Sequence, residues 1–258
     1  MPAGPSQSLA VLRRSHDHLA AQVGGLDAAG LRRRSYSTEW SIAQVLSHLG
    51  SQAEIFGLMA EAGLTGADAP GPDTFSPIWD AWNARSPEDQ AADSIAVNEE
   101  FLRRLEALDT EQLDSFHLAT FGMEIDAAMF LRMRISELAL HAWDVAVVLD
   151  PGATVAADAV EILVDSLPDM AARVGKAADK PVTLRVETRA PERSFVLDTG
   201  GVRLEPGTGA SVHGTLQLPA EALVRLVYGR LDRAHAASVR LEAPQTSLDD
   251  LRAVFPGL

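Results

Sequence analysis

The chain has 258 residues, with 36 acidic against 22 basic side chains and a formal charge of -14 at pH 7, a balance that repels a phosphate backbone or an anionic membrane surface. At 47% hydrophobic and 22% charged residues, it reads as globular material long enough for two domains of ordinary size rather than as a disordered or fibrous chain. Cysteine is absent, which excludes disulfides, thiolate metal ligands and a thiol nucleophile and fits a reducing cytoplasm.

The opening MPAGPSQSLA lacks the basic flank and apolar run of a signal peptide, and no apolar stretch reaches the ~18 residues of a membrane span. The expectation is a cytoplasmic protein with neither a nucleic-acid nor a membrane partner. Its longest basic cluster, Arg32-Arg33-Arg34, has no interleaved aromatics and reads as a solvated loop or helix end.

In chain order, residues 6–24 place Leu9, Leu12, Leu19 and Val23 at helical spacing and stop at Gly24-Gly25. A second helix opens at Trp40-Ser41, with Ser41 as N-cap, and runs to about Ala62. The Gly-, Pro- and Asp-rich segment GLTGADAPGPDTFSP predicts an irregular connection, followed by a short helix from Trp79 to Arg85. Ser86-Pro87-Glu88-Asp89 supplies an N-cap, an N1 proline and an acidic first turn for a third long helix to about Leu108. The connection carrying Phe116, His117, Phe121 and Gly122 has no assignable conformation. A fourth long helix runs from about Glu124 to Leu149 and ends sharply at Asp150-Pro151-Gly152.

Beyond Gly152 a helix fits 156–174, and then 182–187, 193–198 and 202–206 alternate with the period of strands, with Thr199-Gly200-Gly201 as a tight turn. SVHGTLQLP adds an extended piece, and helix 219–229, strand 237–242 and helix 246–254 complete an α+β layer. The predicted organisation is a four-helix bundle over 1–151 and a small α+β domain over 152–258.

Glu137 and His141 stand at i and i+4 of the fourth helix, so both leave the same face about one turn apart. His48 lies inside the second helix among Ile42, Val45, Leu46 and Leu49, at or near its buried face. Two imidazoles and a carboxylate that leave a position open match a catalytic zinc site. Spacing by itself leaves the alternative standing, because Glu and His at i and i+4 often form only a surface hydrogen-bonded pair, and an inward His is often a satisfied core residue.

The segments TEWSIAQVLSHLGSQAEIF and RMRISELALHAWDVAVVLD together resemble the mycothiol-dependent maleylpyruvate isomerase family, within the wider DinB-like metal-bundle superfamily. The matched positions are Trp40, Ser41, His48, Glu137, His141, Trp143 and Asp144, and Trp82-Asn83-Ala84-Arg85 is similar to a further family segment. GTLQLPAEALVRLVYGRLD resembles the small sterol-carrier-like domain that often follows such a bundle. The resemblance implies a DinB-like four-helix bundle followed by a sterol-carrier-like α+β domain. It also implies metal ligation by His48, Glu137 and His141, with mycothiol as the thiol cofactor. Zinc is the expected ion, although the ligand set also suits nickel, iron or manganese. A divalent cation stabilises a thiolate at neutral pH and so supplies the nucleophile that a cysteine-free chain lacks.

Around the ligands, Asp144 reads either as a carboxylate orienting an imidazole or as a solvated helix residue. Asn83 and Arg85 read either as a polar pocket mouth for an anionic group or as an exposed helix surface. Trp40 and Trp143 are expected to pack the bundle. The resemblance also implies a substrate-binding arginine in the second domain, assigned to Arg230, with Arg225 and Arg233 as alternatives. The expected activity is attack of the activated thiol on a small electrophile, as an S-transferase or a cis–trans isomerase, by a monomer or homodimer. A hydrolase using metal-bound water and a non-catalytic ligand sensor on the same bundle are the competing readings.

Overall fold

The computed structural model describes residues 4–37, 39–208 and 211–257, so Thr38, the first residue of the TEWSIAQ motif, lies outside the described residues. Its contacts divide the chain into two compact units, Met1–Val155 and Ala156–Leu258, and helices and two sheets make up the whole.

In the first unit α1 (Pro5–Val23) is followed by a single turn, α2 (Ala28–Leu31), capped by Asp27. α3 (Ile42–Thr65) begins with a reciprocal capping box between Ser41 and Gln44 and ends at Gly66, whose φ of 72° is the left-handed conformation glycine adopts without strain. α4 (Pro72–Asn83) corrects the predicted loop. Pro72 sits in the first turn, where no N–H is needed, and the helix continues through Pro77. Its apolar Phe75 and Trp82 are buried, so packing on α3 outweighs the composition that argued for irregular chain.

α5 (Pro87–Glu106) starts from the Ser86 cap, and α6 (Thr110–Ser115) from a capping box of Asp109 and Gln112. The unassigned segment is resolved as α6 and a hairpin, β1 (His117–Thr120) with β2 (Met123–Asp126), turning through Phe121 and Gly122, both at positive φ. Glu124 therefore belongs to a strand. α7 (Ala127–Leu149) starts later than its periodicity suggested, because Asp126 Oδ1 accepts from Met129 N at 2.7 Å and fixes the cap there.

The four long helices pack as α3 on α5 and α7, and α1 on α5 and α7. α7 is buried nearly all round, which marks it as the central helix. Its Phe130, Ile135 and Trp143 are each at most 2% exposed, and burying a large apolar side chain contributes roughly 1.5–3 kcal/mol. Trp143 packs against Tyr36 with centroids 4.7 Å apart and donates from Nε1 to the carbonyl of Ala153 at 2.9 Å, so it is structural as expected.

One buried titratable group sits on α1. Burial holds the His16 pKa below its ordinary 6.5, opposed by Glu99, which it meets at 3.3 Å, and assisted by Arg13. Below pH 6.5 the unfolded chain takes up a proton that folded His16 refuses, so stability falls as pH drops from 6.5 towards the folded pKa and is unaffected above 6.5. Between pH 7.5 and 5.5 the urea midpoint of His16→Gln is expected to fall less than that of the parent; parallel curves would show that His16 does not titrate in this range.

In the second unit the predicted helix 156–174 is interrupted. α8 (Ala157–Leu163) passes through a 3-10 turn into α9 (Leu167–Val174), with Pro168 at the new start, where its missing N–H is tolerated. A five-stranded sheet has the order β5 (Arg203–Pro206), β4 (Arg193–Asp198), β3 (Thr183–Arg189), β6 (Gly214–Pro219), β7 (Arg240–Glu242). β3 and β6 run parallel, in register at Val186 and Leu216, and the other neighbours are antiparallel. Leu184, Val186, Phe195, Leu197, Leu216 and Leu218 alternate inward, under α10 (Ala220–Val227), and α11 (Leu248–Val254) closes the unit. No helix among the described residues is long and apolar enough to cross a membrane.

Candidate metal centre and its cavity

His48 leaves α3, and Glu137 and His141 leave α7, towards one point. Their ligand atoms all lie within 4.8 Å of one another. His48 Nε2 is 3.0 Å and His141 Nε2 3.7 Å from Glu137 Oε2, and the two imidazoles meet edge to face with centroids 4.7 Å apart. Metal bonds of about 2.0–2.2 Å in tetrahedral geometry put neighbouring ligand atoms roughly 3.4 Å apart, and the observed separations bracket that edge. A single divalent cation fits this donor set.

Electrostatics prepares the same chemistry. Burial raises the Glu137 carboxyl, but its hydrogen bond with His48 and the charges of His141, His48 and Arg134 outweigh burial and bring it from 4.5 down to about 2. The carboxylate is therefore ionised at neutral pH and available as an anionic ligand.

Asp144, fully buried one turn after His141, lies with Oδ2 2.9 Å from His141 Nδ1. That contact holds the ring so that Nε2 is the nitrogen turned towards Glu137. The backbone carbonyl of Asp144 in turn accepts from Tyr36 N at 3.0 Å. The Tyr36 loop is bent back by Ser35, whose N and Oγ both donate to the carbonyl of Trp40. This bend sets the Trp40 indole 5.2 Å from the His48 ring and, nearly parallel, 6.1 Å from that of His141. Trp40 is only partly buried; it is a wall of the site rather than the core residue its size suggested.

A cavity of about 430 Å³ opens beside His48, lined by Trp40, Gln44, Ser51, Trp79, Asn83 and Gln90. Each carboxamide has one end tied into the fold: Gln44 Oε1 to Ser41 N, Asn83 Oδ1 to Ser47 Oγ, and Gln90 Nε2 to the carbonyl of Trp82. Gln44, Ser51, Trp79 and Gln90 escaped the sequence reading. Helical spacing holds the missing signal, because Gln44 and Ser51 lie four residues before and three after His48, while Trp79 and Asn83 are i and i+4 on α4.

The remaining predicted residues are placed differently. Arg85 is not among the cavity's lining residues; its guanidinium stacks 3.7 Å from the Trp82 ring and pairs with Asp93 at 3.1 Å. Arg230 belongs to the second unit, just beyond α10, where Nη1 donates to the carbonyl of Tyr228 at 3.0 Å.

The chain is similar in fold to the crystal structure of the mycothiol-dependent maleylpyruvate isomerase, at 16% identity and a TM-score of 0.66 over 95% of this chain and 97% of that one. A histidine-to-alanine mutant of that isomerase is similar at a TM-score of 0.65, with the same identity and coverage. No curated protein sequence matches significantly. The family model described as the mycothiol maleylpyruvate isomerase N-terminal domain matches residues 12–146, more than half of the chain and the segment that carries all three clustered ligand residues. The chain belongs to the mycothiol maleylpyruvate isomerase N-terminal domain family.

Proposed function

We propose that the protein is a cytoplasmic, metal-dependent enzyme that uses mycothiol to attack a small electrophile, as a cis–trans isomerase or an S-transferase. The observation that carries this reading is the convergence of His48, Glu137 and His141 within 4.8 Å at the edge of a cavity. The crossing of four long helices and the α+β second unit support its extension to a DinB-like bundle over 1–151 and a sterol-carrier-like domain over 152–258.

A divalent cation, zinc in this reading, would supply one thing: the positive charge that keeps a thiol ionised at neutral pH. The chain's residues do the rest. His48 and His141 present neutral nitrogens and Glu137 an anionic oxygen, while Asp144 accepts the Nδ1 proton of His141 and fixes the tautomer. Trp40 covers the two imidazoles and limits access of water on that side. Asn83 and Gln44 offer hydrogen bonds to a polar ligand, and Trp79, 40% exposed on α4, offers a flat face. Arg85 acts one step removed, by bracing Trp82 beneath this wall.

Calorimetric titration of zinc-loaded protein with mycothiol, with glutathione as the comparison thiol, tests the reading. Saturable heat with mycothiol that disappears after chelation is the expected result. Heat with neither thiol would overturn it and leave water as the group activated.

A further inference from the structure

The helices that bear the ligands are joined by a buried side-chain clamp one residue from His48. Arg134, on α7 one turn before Glu137, is 1% exposed and forms no ion pair among the described residues. Its Nη2 donates to Asn98 Oδ1 on α5 and, at 3.3 Å, to the backbone carbonyl of Leu49 on α3. Asn98 Nδ2 donates to that same carbonyl at 3.3 Å and to the carbonyl of Ser94 at 2.8 Å. The guanidinium lies between the rings of Phe56 and Phe101, 5.5 and 5.8 Å from their centroids, and Nη1 has no partner among the described residues. Three helices thus meet on one oxygen, and that oxygen belongs to the residue after His48.

A buried cation with no carboxylate in direct contact, and Glu137 acting on it only through space, is expensive, and an apolar side chain of similar volume in its place is often neutral or stabilising. Fold stability alone gives no reason for an arginine here. What the planar guanidinium offers is rigid hydrogen bonding to two acceptors at once, which a flexible ammonium does not reproduce. Ligand sets need such support, since they tolerate displacements of only about half an ångström.

We propose that Arg134 is a positioning residue that, with Asn98, grips the Leu49 carbonyl and thereby sets the α3–α7 spacing at which His48 meets Glu137 and His141. The proposal rests on the reading of those three residues as metal ligands.

Cobalt(II) binding to the full chain, followed by its visible absorption, tests it beside the imidazole 15N shifts of the metal-free protein. Arg134→Met is expected to melt no lower than the parent, yet to bind cobalt about 10-fold or more weakly, with altered band shape and displaced His48 and His141 shifts. Arg134→Lys, which keeps the charge and loses the fork, should resemble Arg134→Met. Asn98→Leu removes one arm of the clamp and serves as the second variant should Arg134→Met fail to fold. Parent-like affinity, bands and shifts in these variants would overturn the proposal, as would a parent-like Arg134→Lys. A parent that binds no cobalt would instead sink the metal reading, and the imidazole shifts would then decide the clamp.

Discussion

Replacing His141 with alanine is expected to reduce the metal content of the purified protein from about one equivalent to near background, measured by elemental analysis without chelator. The ligand set would fall from three protein donors to two. Losing an outer hydrogen-bonding partner of a metal ligand costs roughly 10–100-fold in affinity, and losing the ligand itself must cost more. His141→Ala also removes the 2.9 Å contact that His141 Nδ1 makes to Asp144, a fully buried carboxylate, and taking a partner from a buried charge is destabilising. His48→Ala should lose the metal to a similar degree with a smaller second penalty, since the contact it takes from Glu137, at 3.0 Å, lies at a partly exposed position. The pair therefore separates ligation from stability: equal metal loss, with the larger fall in melting temperature for His141→Ala. Full metal content in both variants would end the assignment. Acid does not act through the carboxylate at first, because the contribution of Glu137, with its pKa depressed to about 2, is fully present above 4.5 and is lost only as pH falls through the folded value.

Gly50→Val is expected to damage the wall of the cavity without touching the candidate ligands. A Cβ at Gly50 would lie 2.2 Å from Trp82 Cη2 and 2.3 Å from Cζ3, far inside van der Waals contact. The ring has nowhere to go. It is 1% exposed, its Nε1 donates to Glu54 Oε1 at 2.9 Å, and the Arg85 guanidinium covers its face. Overpacking of this kind costs about 1–3 kcal/mol, or some 2–12 °C of melting temperature at about 2–4 °C per kcal/mol for a chain of this size, and the branched valine belongs at the upper end. The displaced element is α4, so Trp79 and Asn83 would shift relative to His48. The expected signature is a lowered melting temperature together with weaker thiol binding and retained metal. Shrinking the ring in a Gly50→Val/Trp82→Leu double variant should recover part of the loss, as contacting sites are non-additive; simple addition of the penalties of the two single variants would show that the clash is relieved elsewhere.

The members of the cluster were legible as candidates because their chemistry is local: Glu137 and His141 are one helical turn apart, and His48 sits in a strongly apolar helix with a clear cap. Their meeting is a property of packing, which periodicity does not encode. The second half of α4 was read as a short helix from Trp79, but its first half was missed because Pro70, Gly71, Pro72 and Pro77 flank or enter it, and the burial of Phe75 and Trp82 that outweighs them appears only once α3 is in place. Trp40 misled for the opposite reason, since its size suggested a core residue and the backbone bend at Ser35 turned it into a wall. Arg134 gave no signal at all. One arginine in an apolar helix reads as a side chain reaching for solvent, and only the assembled α3 and α5 reveal that it is enclosed.

Ligands and wall are carried by different helices. His48, Glu137 and His141 stand on α3 and α7, two of the long helices of the first unit, whereas Trp79 and Asn83 stand on α4, a short and mostly exposed helix between two loops. Substitutions on the outer turns of α4 are therefore expected to alter what the cavity admits more than they alter the cluster. Such an architecture would let ligand preference be altered within the dozen residues of one helix, apart from the helices that carry the cluster.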